Sequence, residues 1–277
     1  MTTNSKSVTD HYASAGLAER ILSALGETGV KLDALTPEDL AALDQFHVRG
    51  RDATLELATA AGITSDHRIV DVGGGIGGPA RTLASNFGCK VTVVDLTEEY
   101  CRAGEVLTAK TGLQDKVHFT PASALDMPFD DASFDLVWQQ HSSMNIPDKK
   151  SLYKEVARVL RPGGRLALYE VMAGNASGVR YPVPWARDPC ISFLGSPEEV
   201  QTALQEAGFE IRSWVDQTQL GIEWFRARLA AAAGLPAPPK VGLHLLVGEV
   251  APIMLRNMLD NLERHSVVIV QAIADKP

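Results

Sequence analysis

The chain has 277 residues, 45% of them hydrophobic, enough to bury the core of one large α/β domain carrying inserted helices. A net charge of −8 with no basic block argues against a nucleic-acid partner, because such binding leans on Lys and Arg contacts to phosphate. No apolar run is long enough to span a bilayer, and the polar start MTTNSKSVTDHY lacks the apolar centre of a secretory signal. Cys89, Cys101 and Cys190 fit neither a disulfide framework nor a metal-ligand spacing. The expectation is a cytoplasmic protein with no membrane segment and no metal.

Residues 1 to about 62 read as helices, one opening at Thr36-Pro37-Glu38. RIVDV from Arg68 is a short buried strand, followed by glycines and a helix over about 79–87. KVTVVDL from Lys90 is a second strand. Thr97, Glu98 and Glu99 then supply an N-cap and negative charge to the next helix. KVHFT from Lys116 and FDLVW from Phe134 are strands three and four. Asp148 caps a helix with Leu152, Val156, Val159 and Leu160 on one face, which the run Arg161-Pro162-Gly163-Gly164 stops before strand five, RLALYEV. Ser196-Pro197-Glu198-Glu199 opens another helix, ended by Gly208; FEIRSWV is strand six and HSVVIVQAIA strand seven.

Strands separated by helices imply parallel pairing and right-handed crossovers. The fold class is therefore α/β: a doubly wound, seven-stranded, mostly parallel, Rossmann-like sheet with N-terminal lid helices and a helical insertion before the last strand. The expected organisation is one domain over 1–277. It comprises an N-terminal helical cap (1–62), a Rossmann-like core (63–218 and 265–277) and a helical insertion (219–264) over the acceptor site, broken at GLPAPPKVG.

The strongest local signal is DVGGGIGG, from Asp71 to Gly78, between a strand and a helix. Gly73, Gly75 and Gly77 permit a tight turn and close backbone approach to a ligand. Gly73, Gly75 and Gly78 also satisfy the dinucleotide fingerprint, which leaves an NAD-dependent oxidoreductase open. Asp71 shifts the reading: at the strand end it reaches a ligand's cationic ammonium, whereas a pyrophosphate there would meet like charge. Asp95, ending strand two, can accept hydrogen bonds from both ribose hydroxyls, and SALDMPF from Ser123 can flank an adenine ring.

Taken together, IVDVGGGIGGPA, VVDL, ASALDMPF and EVARVLRPGGRLALYEV resemble the ordered motifs of class I S-adenosylmethionine-dependent methyltransferases, over about 68–171. DQFHVRGRDATLELA and WQQHSSMNIPDK are similar to the sarcosine/dimethylglycine N-methyltransferase-like branch of bacterial small-molecule methyltransferases. The resemblance implies S-adenosyl-L-methionine as cofactor and S-adenosyl-L-homocysteine as product. It implies Gly73 and Gly75 at the methionine end, Asp95 on the ribose, and Leu96, Ser123 and Ala124 around the adenine. Gln140 would approach the methionine moiety, and Tyr12 and His47 would close over the cofactor. Ser123 departs from the family pattern, in which Asp is common at the adenine contact. His47 equally fits a packed helix residue.

In open α/β sheets ligands sit beyond the C-terminal ends of the strands. His141 after strand four is the first candidate general base and Glu170, ending strand five, the second. Their plainer readings are a satisfied loop histidine and a solvated carboxylate. Met144, Asn145, Trp185 and His244 are candidate acceptor contacts, with Phe193 a further wall residue. The expected reaction is in-line methyl transfer to nitrogen or oxygen of a small-molecule acceptor in a closed pocket. A non-catalytic cofactor-binding module is the remaining alternative, and a homodimer is compatible with the chain.

Overall fold

The computed structural model describes residues 16–237 and 239–277. Among the described residues three helices precede the first strand: α1 (Leu17–Gly26), α2 (Pro37–Asp44) and α3 (Gly50–Ala61). Then come β1 (Arg68–Val72), α4 (Gly78–Phe87), β2 (Lys90–Asp95), α5 (Glu98–Lys110), β3 (Val117–Pro121) and β4 (Phe134–Gln140). The second half runs α6 (Lys149–Val159), β5 (Leu160–Ala173), α7 (Pro197–Glu206) and β6 (Glu210–Asp216). It closes with α8 (Thr218–Ala233), the short α9 (His244–Val247), α10 (Ala251–Glu263) and β7 (Val267–Asp275).

The strands form one sheet in the order β3-β2-β1-β4-β5-β7-β6. The pairs from β3 through β5 are parallel, whereas β7 lies antiparallel between β5 and β6. This matches the expected mostly parallel Rossmann-like sheet and corrects the rule of wholly parallel pairing for the last strand. The α8–α10 insertion leaves the end of β6 and brings the chain back at that same end of the sheet, where Asp216 pairs with Val270, so β7 runs antiparallel to its neighbours.

Local signals act as the sequence implies. Thr36 and Ser196 each close a capping box, with Asp39 and Glu199 respectively, and each is followed by Pro at the first helical turn. The Asp148 side chain accepts from the Ser151 N–H at 2.9 Å. Two details differ. Thr97 occupies the N-cap of α5 without a side-chain cap bond; its N–H instead donates to the Asp95 carboxylate at 2.8 Å. The run Arg161-Pro162-Gly163-Gly164 is not a loop: β5 starts at Leu160, pairs there with Phe134, and passes through a register shift before Arg165.

Two apolar layers cover the sheet. One face packs on α3, α4, α8 and α10 through residues such as Leu57, Leu83, Phe225 and Leu262. The other packs on α6 and α7 through Leu152, Val156 and Leu204. A third cluster joins α1 and α2 to α5, α9 and α10 through Ile21, Leu40, Leu107 and Met254, forming the cap over the strand ends.

The cap is fastened by a buried ion pair. Arg81 of α4 donates to the Asp44 carboxylate at 2.7 Å, with side-chain exposures of 0% and 1%. Arg81 also donates to Thr108 Oγ1 at 3.0 Å, tying in α5. Burial pushes the Asp44 carboxyl upward, with Arg81 opposing it. At Gly78 a Cβ would stand 2.1 Å from the Asp44 carbonyl oxygen, so this third glycine of the fingerprint serves helix-to-cap contact. Asp44→Ala would leave a guanidinium uncompensated in the interior, and we expect a loss of about 3–5 kcal/mol in urea denaturation.

Candidate active site

β1 delivers the chain into the glycine loop, whose Gly73 N–H donates to the Val94 carbonyl at 2.7 Å. Gly73 has φ +73°, and a Cβ there would meet Ser142 Cβ at 2.3 Å. The loop after β1 and the loop after β4 are thus in direct contact, and only glycine permits it. Asp95, at the end of β2, accepts from the Gly75 N–H at 2.9 Å and the Thr97 N–H at 2.8 Å. Burial pushes its carboxyl upward and these backbone donors pull it back.

A cavity of about 320 Å³ opens beside these groups. Gly73, Gly75, Asp95, Leu96, Ser123, Ala124, His141, Ser142 and Asn145 line it. Ser123 Oγ accepts from the Leu125 N–H at 3.2 Å, a turn within the wall. A second cavity of about 330 Å³ is walled by His47, Met144, Val171, Trp185, Trp224, Phe225, Leu246 and Met258. Phe46, Tyr100 and His141 belong to the walls of both, so these side chains form the partition between the two spaces.

His141 has φ +47°, the left-handed region that a non-glycine residue enters at a cost of about 1–3 kcal/mol. Its ring stacks on Tyr169, centroids 5.3 Å apart and 4° from parallel, and stands edge-on to His47 at 6.1 Å. Its Nε2 has no hydrogen-bond partner. Burial and then the neighbouring His47 hold its pKa well below the ordinary imidazole value, so the ring is neutral near pH 7. His47 lies in the second cavity's wall, its Nε2 2.8 Å from the Gly50 carbonyl oxygen, and burial lowers its pKa to about 4.

Other expected site residues lie elsewhere. Asp71 sits beneath the loop, 1% exposed, and is absent from either cavity wall; a Cβ on Gly74 would meet its Oδ2 at 2.5 Å. Burial, with the charge of Asp95, lifts its carboxyl to about 8. Gln140 is turned into a buried network, its Oε1 accepting from Trp138 Nε1 at 2.8 Å and lying 3.2 Å from Thr54 Oγ1. Glu170 is fully buried on the sheet face opposite Tyr169, because successive strand residues alternate. There it accepts from the Ser142 and Ser143 N–H groups at 3.1 and 3.2 Å and so holds the loop that carries His141. Burial raises its carboxyl to about 7.

Met144 and Trp185 line the second cavity, whereas Asn145 lines the first and ties down the later loop through Nδ2 bonds to the Trp185 and Ile191 carbonyls at 2.9 and 2.8 Å. His244 opens α9 half-buried, while its neighbours Leu243, Leu246 and Val247 reach the cavity wall. Tyr12 lies outside the described residues. Sequence reasoning missed Phe46, Tyr100, Trp224, Phe225 and Arg228. The adjacent Trp224-Phe225 pair in the insertion is the one signal that pointed there.

The class is set by this fold: an open Rossmann-like sheet with a glycine loop after β1 and a carboxylate ending β2. Residues 70–168 match the family model of a methyltransferase domain. A sarcosine/dimethylglycine N-methyltransferase of Halorhodospira halochloris is 32% identical over 166 residues, 59% of each chain. A 27-O-demethylrifamycin SV methyltransferase of Amycolatopsis mediterranei is 34% identical over 179 residues, 60% of this chain and 66% of that one. The chain thus spans under two thirds of the length of either relative. The solved structure of a geranyl diphosphate C-methyltransferase from Streptomyces coelicolor A3(2) shares the fold, with TM-score 0.72 and 18% identity over 100% and 98% of the two chains.

The Asp71 carboxyl yields a pH expectation. Its folded pKa of about 8 lies above that of an unfolded carboxyl, so its contribution is fully present below the unfolded value and lost as pH rises through about 8. Asp71→Asn removes that loss. The stability difference in favour of the variant should grow by on the order of 2–4 kcal/mol from about pH 5 to about pH 8, read by urea denaturation without ligand.

Proposed function

We propose that the protein is an S-adenosylmethionine-dependent methyltransferase acting on nitrogen or oxygen of a small-molecule acceptor. The observation that carries this reading is the pair of cavities divided by Phe46, Tyr100 and His141. One is polar at Asp95 and bordered by the glycine loop; the other is walled mainly by apolar and aromatic side chains. The wall chemistry of the first fits adenosylmethionine. The Asp95 carboxylate suits the ribose hydroxyls, Leu96, Ser123 and Ala124 suit the adenine, and bare backbone at Gly73 and Gly75 suits the methionine end.

When bound, the cofactor supplies a methyl group activated on a sulfonium. The protein's share is alignment and exclusion of water, and positioning of this kind supplies about 7–11 kcal/mol in favourable cases. Phe46 and Tyr100 shield the partition, and the apolar walls keep the acceptor dry. His141, neutral and with Nε2 unpartnered, accepts the proton from an acceptor that arrives as a hydroxyl or ammonium. Glu170 and the Tyr169 stack are positioning groups that fix the imidazole. Gln140 and His244 line neither cavity and carry no role in this reading. The proposed organisation is one domain, 1–277, in which residues 1–62 and 219–264 enclose the acceptor and 63–218 with 265–277 hold the cofactor. No helix among the described residues is long and apolar enough to cross a membrane, which accords with a reaction in the cytoplasm on a diffusible acceptor.

Isothermal titration tests the reading: adenosylhomocysteine should bind and NAD should not. Asp95→Ala should weaken adenosylhomocysteine by about 30–100-fold through two lost hydrogen bonds. Tight NAD binding with none of the sulfonium cofactor or its product would overturn the assignment. In a screen of small amines and phenols for adenosylhomocysteine release, His141→Ala should lower kcat by about 10²–10³. The wild-type rate should stay level through neutral pH and fall only well below the ordinary imidazole range, where His141 gains a proton.

A further inference from the structure

α8 presents Trp224 and Arg228 one turn apart, and both line the acceptor cavity. The Arg228 guanidinium carbon lies 5.1 Å from the Trp224 ring centroid. Arg228 is exposed to solvent while lining the cavity.

The other cations at this wall are already matched. Arg49 donates to both Glu56 oxygens at 2.7 and 2.5 Å, and Arg51 to Glu38 at 2.5 Å. On the same helix Arg226 pairs with Glu263 at 2.6 Å. Among the described residues no carboxylate comes within 4.0 Å of Arg228. Partial burial lowers its pKa, with no acidic neighbour acting against that.

A guanidinium resting over an indole face has its planar fork of donors restricted in direction. Its best complement is a planar or tetrahedral anionic oxygen group, bound through two parallel hydrogen bonds. Beside it the cavity offers Phe225, Leu243, Leu246 and Met258, which suit a hydrocarbon or aromatic body.

We propose that Arg228, held on Trp224, selects acceptors that join an apolar body to an anionic oxygen group, a carboxylate or a phosphate. The proposal rests on the methyl-transfer reading for the word acceptor, but the binding preference stands by itself. It makes Arg228 a specificity determinant at the substrate cavity, away from the partition where His141 stands.

The test uses three probes of one shape, 2-naphthoate, 2-naphthyl phosphate and 2-naphthamide, titrated calorimetrically into the full-length protein with and without adenosylhomocysteine. At least one anion should bind about tenfold or more tighter than the amide, and added salt should narrow the gap. The carboxylate and phosphate arms show which group the site prefers. Arg228→Met should erase the preference while leaving 2-naphthamide affinity within about twofold. Arg228→Gln is the second variant should the first fail to fold, and Arg226→Met should change nothing. Equal affinity for all three probes, no binding of any at millimolar concentration, or a preference that survives both Arg228 variants would overturn the proposal. Failure of adenosylhomocysteine to bind in the same experiment would instead count against the methyltransferase reading, leaving the probe result to stand or fall separately.

Discussion

Arg81 and Asp44 meet in an interior that offers neither of them water, and the geometry of the whole site follows from how they do so. Asp44 is the last residue of α2, and the next residues are Gln45, Phe46 and His47. Arg81 pins that end against α4 while its other nitrogen holds α5. Gly78 allows the approach by having no side chain at the point of contact. A buried pair is weak evidence for net stability, since two desolvation costs oppose one attraction. Its value here is directional: it sets where Phe46 stands between the two cavities and where His47 meets His141. The Gln45 amide, donating to Thr82 Oγ1 at 2.9 Å, adds a second tie with the same consequence.

The sheet then sorts the chemistry by the parity of its strands. Tyr169 and Glu170 are neighbours in β5, yet they project to opposite faces. Tyr169 stacks on His141 and lies edge-on to His47, within the site. Glu170 reaches the same loop from the far face, through backbone N–H groups. The two candidate bases, His141 first and Glu170 second, thus differ in kind: the His141 ring lies on the cavity wall, and Glu170 holds the loop on which that ring sits. Gln139 and Gln140 part in the same way. The former is buried with its amide unpartnered; the latter serves the Trp138–Thr54 network.

How much of this was legible beforehand depends on the range over which each signal acts. Helix caps, strand patterning and the glycine loop are encoded within a few residues, so the elements were readable, whereas the Gly75 N–H bond to Asp95 emerges only in the fold. The β5 start was misread because a Pro-Gly-Gly run marks a stop locally, while pairing with β4 carries the strand through it. Of the residues the family motifs singled out, Gly73, Gly75, Asp95, Leu96, Ser123 and Ala124 line one cavity. Asp71 illustrates their limit, since its place before the glycines is plain but its position beneath them depends on how the loop folds back over it. The second cavity draws Phe46, Tyr100, Met144, Trp185 and Trp224 from five separated segments; Met144 and Trp185 were expected at an acceptor site, whereas Phe46 and Tyr100 reach it only through the packing of the cap.

The electrostatics of the two spaces complement each other. Around His141 positive charge is suppressed or matched: burial depresses the pKa of His47, and the Arg49 guanidinium is paired with Glu56. Cationic ligand groups are thus spared repulsion at the partition, and a neutral imidazole can take a proton there without a competing ion. Charge instead appears at the rim, on Arg228, where partial solvation makes it affordable and where it can orient a ligand without disturbing the reacting end. On the proposed reading, a site built this way separates recognition from reaction in space. The helical insertion is then free to vary what is recognised, while the sheet, the glycine loop and the clamp at Asp44 keep fixed what is done to it.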